Sequence, residues 1–285
     1  MRAGDWTTGG PGGLPIPINV SWHLWPRCNL ACTYCYATFH EITSVLPERD
    51  AQRVLDLLYT AGSEKVTFVG GEPTLCPHLP ALLAHAKALG LATMLVTNGT
   101  RLDAGYRSKI LPFLDWVCLS IDAADPATMA AMGRGNARLH ARCLRHWEEL
   151  ATIPHLRLKV NTVVTRTNLH DDMRELIRRL RPARWKVFQV LPVRGQNDGA
   201  VDPLLVSRAE FEQWVQRHRE LDAEGLGPLA EDNDDLTGTY LMLDALGRFF
   251  HNKTGEHFYT ESLLDVGVWE AVRQVGWDTA GFLAR

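Results

Sequence analysis

Between residues 19 and 190 the chain alternates short β-branched runs with longer helical patterns, which commits it to a sheet of mostly parallel strands joined by helices. Strands are predicted at 19–24, 65–69, 92–97, 116–121, 156–164 and 185–190. Helices are predicted at 47–61, 78–89, 125–132, 138–151 and 170–180, most of them bounded by Gly, Pro or a capping residue. Six such units are too few to close an eight-fold barrel. They suit an open α/β architecture, a partial (βα)6 barrel of the TIM type, with its site at the carboxyl ends of the strands.

After Gly195 the rhythm changes to a polar loop, a helix near 207–222, a second acidic loop, a hairpin around 239–250 and a short helix near 268–274. Residues 195–285 are therefore expected to form a C-terminal extension packed on the barrel of residues 18–194, within one globular unit. Residues 1–17 are rich in Gly and Pro and are expected to be a disordered lead-in, with no signal peptide, spanning helix or membrane anchor.

The chain's 30 Lys and Arg against 33 Asp and Glu give a net charge of -3 and no polybasic run. This argues against nucleic acid or an anionic membrane as the main partner and leaves small anions open. Without an export signal the six cysteines belong in a reducing cytoplasm, where thiols clustered in sequence bind metal more often than they form disulfides.

Three of them cluster, in Cys28-Asn-Leu-Ala-Cys32-Thr-Tyr-Cys35, directly after the first strand. A loop at a strand's carboxyl end can wrap three thiolates around one small body, as iron–sulfur ligation requires. Three ligands leave one iron of a four-iron cluster open for another molecule. The competing arrangement is zinc on these thiols with His23 or His40, although zinc sites usually show tighter paired spacings. Cys76, Cys118 and Cys143 are isolated and read as buried thiols.

Gly70-Gly71-Glu72-Pro73 follows the second strand, where glycines admit close backbone approach and Glu72 can meet a cationic amine. Later strand ends carry Thr97-Asn98-Gly99, Ser120-Ile121-Asp122 and Gly133-Arg134-Gly135, with Arg134 able to pair with a carboxylate. Period-two alternation sends Val66 and Phe68 outward and Lys65 inward, and likewise turns Lys159 and Asn161 inward; Arg184 and Lys186 share a face. Four cations aimed into one lumen call for an anion, and a triphosphate is a natural occupant.

The Cys-x3-Cys-x-aromatic-Cys pattern, with Tyr34 as the aromatic, resembles that of radical S-adenosylmethionine (SAM) enzymes. The chain is similar in particular to the viperin branch, through Gly-Arg-Gly at 133–135, Lys-Val-Asn at 159–161, Pro-Ala-Arg-Trp-Lys-Val-Phe-Gln at 182–189, Tyr240-Leu-Met-Leu-Asp244 and Leu264-Asp-Val-Gly-Val268. The resemblance spans 19–283 and implies a [4Fe-4S] cluster on Cys28, Cys32 and Cys35. It implies SAM held by the Gly70-Gly71-Glu72 motif, Tyr34, Thr97, Asn98, Ser120, Asp122 and Arg134, with Ser120 and Arg134 at its carboxylate. It places a nucleoside triphosphate on Lys65, Lys159, Arg184 and Lys186, with Asn161 and Tyr240 near the ribose and Tyr240 as proton donor. The implied reaction begins with a 5′-deoxyadenosyl radical taking the ribose 4′ hydrogen. It ends in a 3′-deoxy-3′,4′-didehydro nucleotide made for antiviral, here antiphage, defence.

The chain departs from the branch at Ser21, which stands where animal viperins have Asn near the phosphates, and at Val69, which replaces a Ser. It also ends at Arg285 without an aromatic-rich tail and lacks the amphipathic N-terminal helix, as expected of a prokaryotic-type member. The base, whether of CTP, UTP or GTP, stays open, although polar residues of the 196–202 and 231–238 loops are candidates to touch it. A low-potential donor of flavodoxin or ferredoxin type is implied as partner. The competing functions are a radical enzyme acting on a peptide or RNA, which would not need four inward cations, and a non-catalytic zinc-binding protein.

Overall fold

The computed structural model describes residues 7–283. Six parallel strands run β1 (Asn19–Trp25), β2 (Lys65–Gly70), β3 (Ala92–Thr97), β4 (Trp116–Ser120), β5 (Arg157–Val164) and β6 (Arg184–Gln189). Between them come α1 (Glu48–Thr60), α2 (Leu79–Ala88), α3 (Ala104–Ile110), α4 (Pro126–Ala131), α5 (Ala137–Leu150) and α6 (Arg174–Leu180). α7 (Arg208–His218), β7 (Leu229–Glu231) and α8 (Asn233–Leu236) follow, then β8 (Met242–Leu243), β9 (Arg248–His251), β10 (Phe258–Ser262), α9 (Leu263–Val275) and α10 (Thr279–Leu283).

Alternation decides which strand face is dry. Val20, Trp22, Val66, Phe68, Leu95, Val117, Val160, Trp185 and Val187 are all buried on the outer face, beneath the helices. α1 answers with Ala51, Val54, Leu55 and Leu58, one apolar stripe at helical spacing, and carries Glu48 and Asp50 at its positive end. Each large side chain buried this way contributes about 1.5–3 kcal/mol. Truncating fully buried Phe68 to Ala would remove about 3–5 kcal/mol.

The sheet has ten strands in the order β10-β9-β8-β1-β2-β3-β4-β5-β6-β7 and stays open, a partial barrel with β10 and β7 as its edges. The extension is thus more than a unit packed on the barrel. β7 pairs in parallel with β6 at one edge, and β8 pairs in parallel with β1 at the other, carrying the antiparallel β9 and β10. The hairpin expected around 239–250 is β8–β9, whereas β10, β7 and α3 had no counterpart in the sequence pattern. α3 buries only Ile110 and is fixed instead by its cap, Asp103, whose carboxylate accepts from the Tyr106 amide.

The lead-in reading needs correction where the structure describes it. Leu14 and Ile16 pack against the main core, and the Ser63 hydroxyl donates to the Pro17 carbonyl at 2.6 Å, so the segment leading into β1 is tied down. Residues 1–6 of that expectation lie outside the described residues. Among the described residues no helix is long and apolar enough to cross a membrane.

Candidate active site

The inner strand faces and the loops at their carboxyl ends enclose one cavity of about 930 Å³. Every cysteine of the triad lines it, as do Gly70, Gly71, Glu72, Thr97, Asn98, Ser120, Asp122, Tyr34 and Arg134 at the rim. Ser21, Lys65, Lys159, Asn161, Arg184, Lys186 and Tyr240 line it below. The residues expected from sequence to hold cofactor and substrate are therefore brought together around a single space.

At the rim, the loop after β1 is clamped between two glycines. A Cβ on Gly71 would come within 2.4 Å of the Arg27 carbonyl oxygen, and one on Gly133, at φ +75°, within 2.4 Å of the Ala31 carbonyl oxygen. The Cys28 sulfur accepts from the Leu30 amide at 3.4 Å and from Asn98 Nδ2 at 3.8 Å. Burial pushes the Cys35 thiol up to about 11 and raises Cys28 as well, which disfavours bare thiolates in this loop. Of the two imidazoles weighed as a fourth ligand for zinc, His23 is buried. His23 is packed edge-on against Phe39 and Phe250 at 5.1 and 5.2 Å between centroids.

Two buried carboxylates organise the rest of the rim. Glu72 Oε1 accepts from the Thr74 amide (3.0 Å), the Thr74 hydroxyl (2.5 Å) and the Thr97 hydroxyl (2.7 Å), while Oε2 accepts from the Asn98 amide (2.8 Å). Its first task is thus to hold two loops in register, and only Oε2 keeps room for a further donor. Asp122 Oδ2 accepts from the Tyr34 hydroxyl and from Arg134 Nε, each at 2.5 Å, and Oδ1 accepts from the Val163 amide at 2.7 Å. Arg134 is thereby positioned at the rim with the rest of its guanidinium fork unused by that pair.

Below, strand register stacks the polar residues in two rows. Ser120, Asn161 and Lys186 stand side by side on β4, β5 and β6, and Cys118, Lys159 and Arg184 form the row beneath. Lys65 lies over the Trp116 ring at 5.6 Å. Burial, reinforced by Lys159, Arg184 and Lys186, lowers its pKa to about 8. Asn161 Oδ1 is buried with no hydrogen-bond partner, an acceptor left for something in the cavity.

Lys186 is answered within the protein. Lys186 pairs with Glu231 on β7 and donates to the Tyr240 hydroxyl at 3.0 Å, while that hydroxyl donates to Glu231 Oε2 at 2.5 Å. Sequence reasoning placed Glu231 in a base-touching loop; it is a buried strand residue, and the signal for it was the uncompensated charge of Lys186. In the other candidate loop, Gln196 bonds Thr38, the Phe39 amide and Glu41, and Asn197 bonds the Tyr34 and Leu191 carbonyls, so both serve to hold the chain around the cavity.

The Radical SAM superfamily matches over residues 22–207. A Flammeovirga pacifica protein named S-adenosylmethionine-dependent nucleotide dehydratase is 40% identical over 281 residues, 96% of each chain. A Lacinutrix mariniflava protein of the same name is 38% identical over 94% of this chain and 57% of its own. The RSAD2 dehydratase of Siniperca chuatsi is 33% identical over 94% and 78%. Among solved structures, Streptococcus suis SuiB bound to precursor peptide SuiA aligns with a TM-score of 0.69 at 14% identity, over 94% of this chain and 66% of that one. The anSMEcpe structure with bound AdoMet aligns at 0.63 and 15% identity, over 82% and 73%. At such identities the structural likeness is one of fold alone.

The chain belongs to the Radical SAM superfamily and, within it, to the viperin-like S-adenosylmethionine-dependent nucleotide dehydratases. Enzymes of this superfamily work with a [4Fe-4S] cluster and SAM, and the residues fit both: three free thiols in one clamped loop, beside a rim built of glycines and positioned polar groups.

Proposed function

We propose that the chain dehydrates the ribose of a nucleoside triphosphate, CTP, UTP or GTP, to its 3′-deoxy-3′,4′-didehydro analogue. The observation that carries this reading is the floor of the cavity, where Lys65, Lys159 and Arg184 gather and Lys65 is held near pKa 8 by burial and neighbouring cations. A group of three phosphates relieves that repulsion; a peptide backbone would not.

Cys28, Cys32 and Cys35 hold the cluster, and the rim from Gly70 to Arg134 holds SAM. When bound, these cofactors supply a 5′-deoxyadenosyl radical able to remove the ribose 4′ hydrogen. Lys65, Lys159, Arg184 and Lys186 fix the triphosphate, with Ser21 beside them on β1, so that the ribose lies at the level of Asn161 and Tyr240. Asn161 Oδ1 accepts from a ribose hydroxyl. Tyr240 donates its proton to the departing 3′ hydroxyl, which leaves as water, and Lys186 and Glu231 hold the phenol in place. One further electron, from a donor of flavodoxin or ferredoxin type, completes the alkene. Six free cysteines suit such a reaction to the reducing cytoplasm.

Anaerobic incubation of reconstituted protein with SAM, reductant and each of CTP, UTP, GTP and ATP separately tests the proposal. One triphosphate is expected to raise 5′-deoxyadenosine formation and to lose the mass of water. Cofactor cleavage that no nucleotide stimulates, with no nucleotide altered, would transfer the chain to the peptide- or RNA-modifying reading.

A further inference from the structure

A second recess opens on the outside of the rim, lined by Leu30, Thr100, Gly135, Asn136, Leu139, Arg138, Arg142 and Arg145. Leu30 belongs to both spaces: it sits between Cys28 and Cys32 in the cysteine loop and lines the main cavity as well. Thr100 is tied to the same loop, its hydroxyl accepting from Asn29 Nδ2 at 2.9 Å. The recess therefore borders the loop that carries the thiols.

The charge of this face is one-sided. Arg138, Arg142 and Arg145 recur at helical spacing on α5, where like charges three and four residues apart repel. Arg138 lies in the first turn, at the positive end of the helix dipole, and that turn has no acidic residue. The acids of α5 lie at the opposite end and are engaged elsewhere, Glu148 with Arg179 and Glu149 with Arg107. Among the described residues none of the three arginines forms an ion pair, and Arg142 Nε is buried with no hydrogen-bond partner. Neither the active site nor the packing of α5 uses these charges, since its buried face is Leu139, His140, Cys143, His146, Trp147 and Leu150.

We propose that this arginine face is the docking surface for an acidic, low-potential electron-transfer protein, which delivers its electrons across the Leu30 segment. The step is a one-electron transfer: the reduced donor is oxidised by one electron, and the cluster that the family reading places on Cys28, Cys32 and Cys35 is reduced by one. Carboxylates of the partner supply the anions that α5 lacks, and long-range attraction accelerates the encounter.

The test compares two reductants on the reconstituted enzyme, scoring SAM cleavage without nucleotide, so that failure of the nucleotide assignment leaves the result untouched. Flavodoxin hydroquinone is the protein reductant and dithionite the small one. The double variant Arg138→Glu/Arg145→Glu is expected to need at least tenfold more flavodoxin for half-maximal cleavage, with the dithionite rate and iron content unchanged. High salt should weaken the wild type in the same way. Binding of oxidised flavodoxin, followed by flavin fluorescence, should fall in parallel. An unchanged response to flavodoxin overturns the proposal, as does equal loss with both reductants at full iron content, or a wild type that neither reduced flavodoxin nor reduced ferredoxin drives at any salt. Arg138→Gln/Arg145→Gln, which removes charge without reversing it, serves if the first variant does not fold.

Discussion

The rim and the floor of the cavity are both lined with charge, yet they are built on opposite terms. At the rim each carboxylate is met by the protein itself: Glu72 accepts four hydrogen bonds and Asp122 three, one of them from Arg134. On the floor Lys65 stands over Trp116 and, among the described residues, neither it nor Arg184 reaches a carboxylate. A surface completed by its own partners is a fixed cradle, and its residues are expected to matter for stability as well as binding. Where cations such as Lys65 and Arg184 meet no carboxylate, a ligand supplies the missing charge, and these two are expected to matter for binding more than for stability.

Substitutions that cross this divide should separate the two effects. The largest is at the cysteine loop: Cys32→Ala should lose bound iron and reduce 5′-deoxyadenosine formation to the detection limit, as iron analysis and chromatography would show. Next is Tyr240→Phe, which keeps the ring but removes the hydroxyl held between Lys186 and Glu231. Nucleotide product should fall by about 10²-fold or more, the usual contribution of a general acid, while cofactor cleavage persists. A wild-type rate of product would end Tyr240's assignment as donor.

Asp122→Ala strips the rim of a buried ion-pair partner and should cost about 3–5 kcal/mol in denaturant unfolding without any ligand. Lys65→Met makes the contrast: unliganded stability should hold or rise, while triphosphate affinity falls about tenfold. Equal destabilisation by the two would erase the distinction between rim and floor.

The smallest effect is one of pH. Lys65 titrates near 8 in the folded chain, below its ordinary value of about 10.4. Below pH 8 it is charged in both folded and unfolded states, and its repulsion is felt in full. As pH rises from 8 towards 10.4 the folded state releases the proton first, so unliganded wild type should gain stability relative to Lys65→Met. Triphosphate, which favours the charged form, should bind more weakly across the same window; thermal melts with and without nucleotide would follow both trends.

The sequence exposed what depends on period. Strands β1 to β6 lie within a residue or so of their predicted ends, and inward turning of Lys65, Lys159, Asn161 and Lys186 follows from alternation alone. It did not expose what depends on long-range pairing. β7 is only Leu-Ala-Glu, too short to carry a pattern, yet it brings Glu231 to Lys186 and Tyr240. β10 forms one edge of the sheet through pairing with β9 that no local signal announces. Glu72 was legible as a motif residue, but its engagement with Thr97 and Asn98 required the next strand end to be in place.

The most direct test of the account is the fate of the 4′ hydrogen. The triphosphate that stimulates cofactor cleavage would be prepared with deuterium at the ribose 4′ position, and the 5′-deoxyadenosine formed anaerobically would be weighed by mass spectrometry. Deuterium in the 5′-deoxyadenosine, with loss of water from the nucleotide, is the predicted result. Unlabelled 5′-deoxyadenosine beside an intact nucleotide would contradict the proposed position of the ribose between the floor and the cysteine loop.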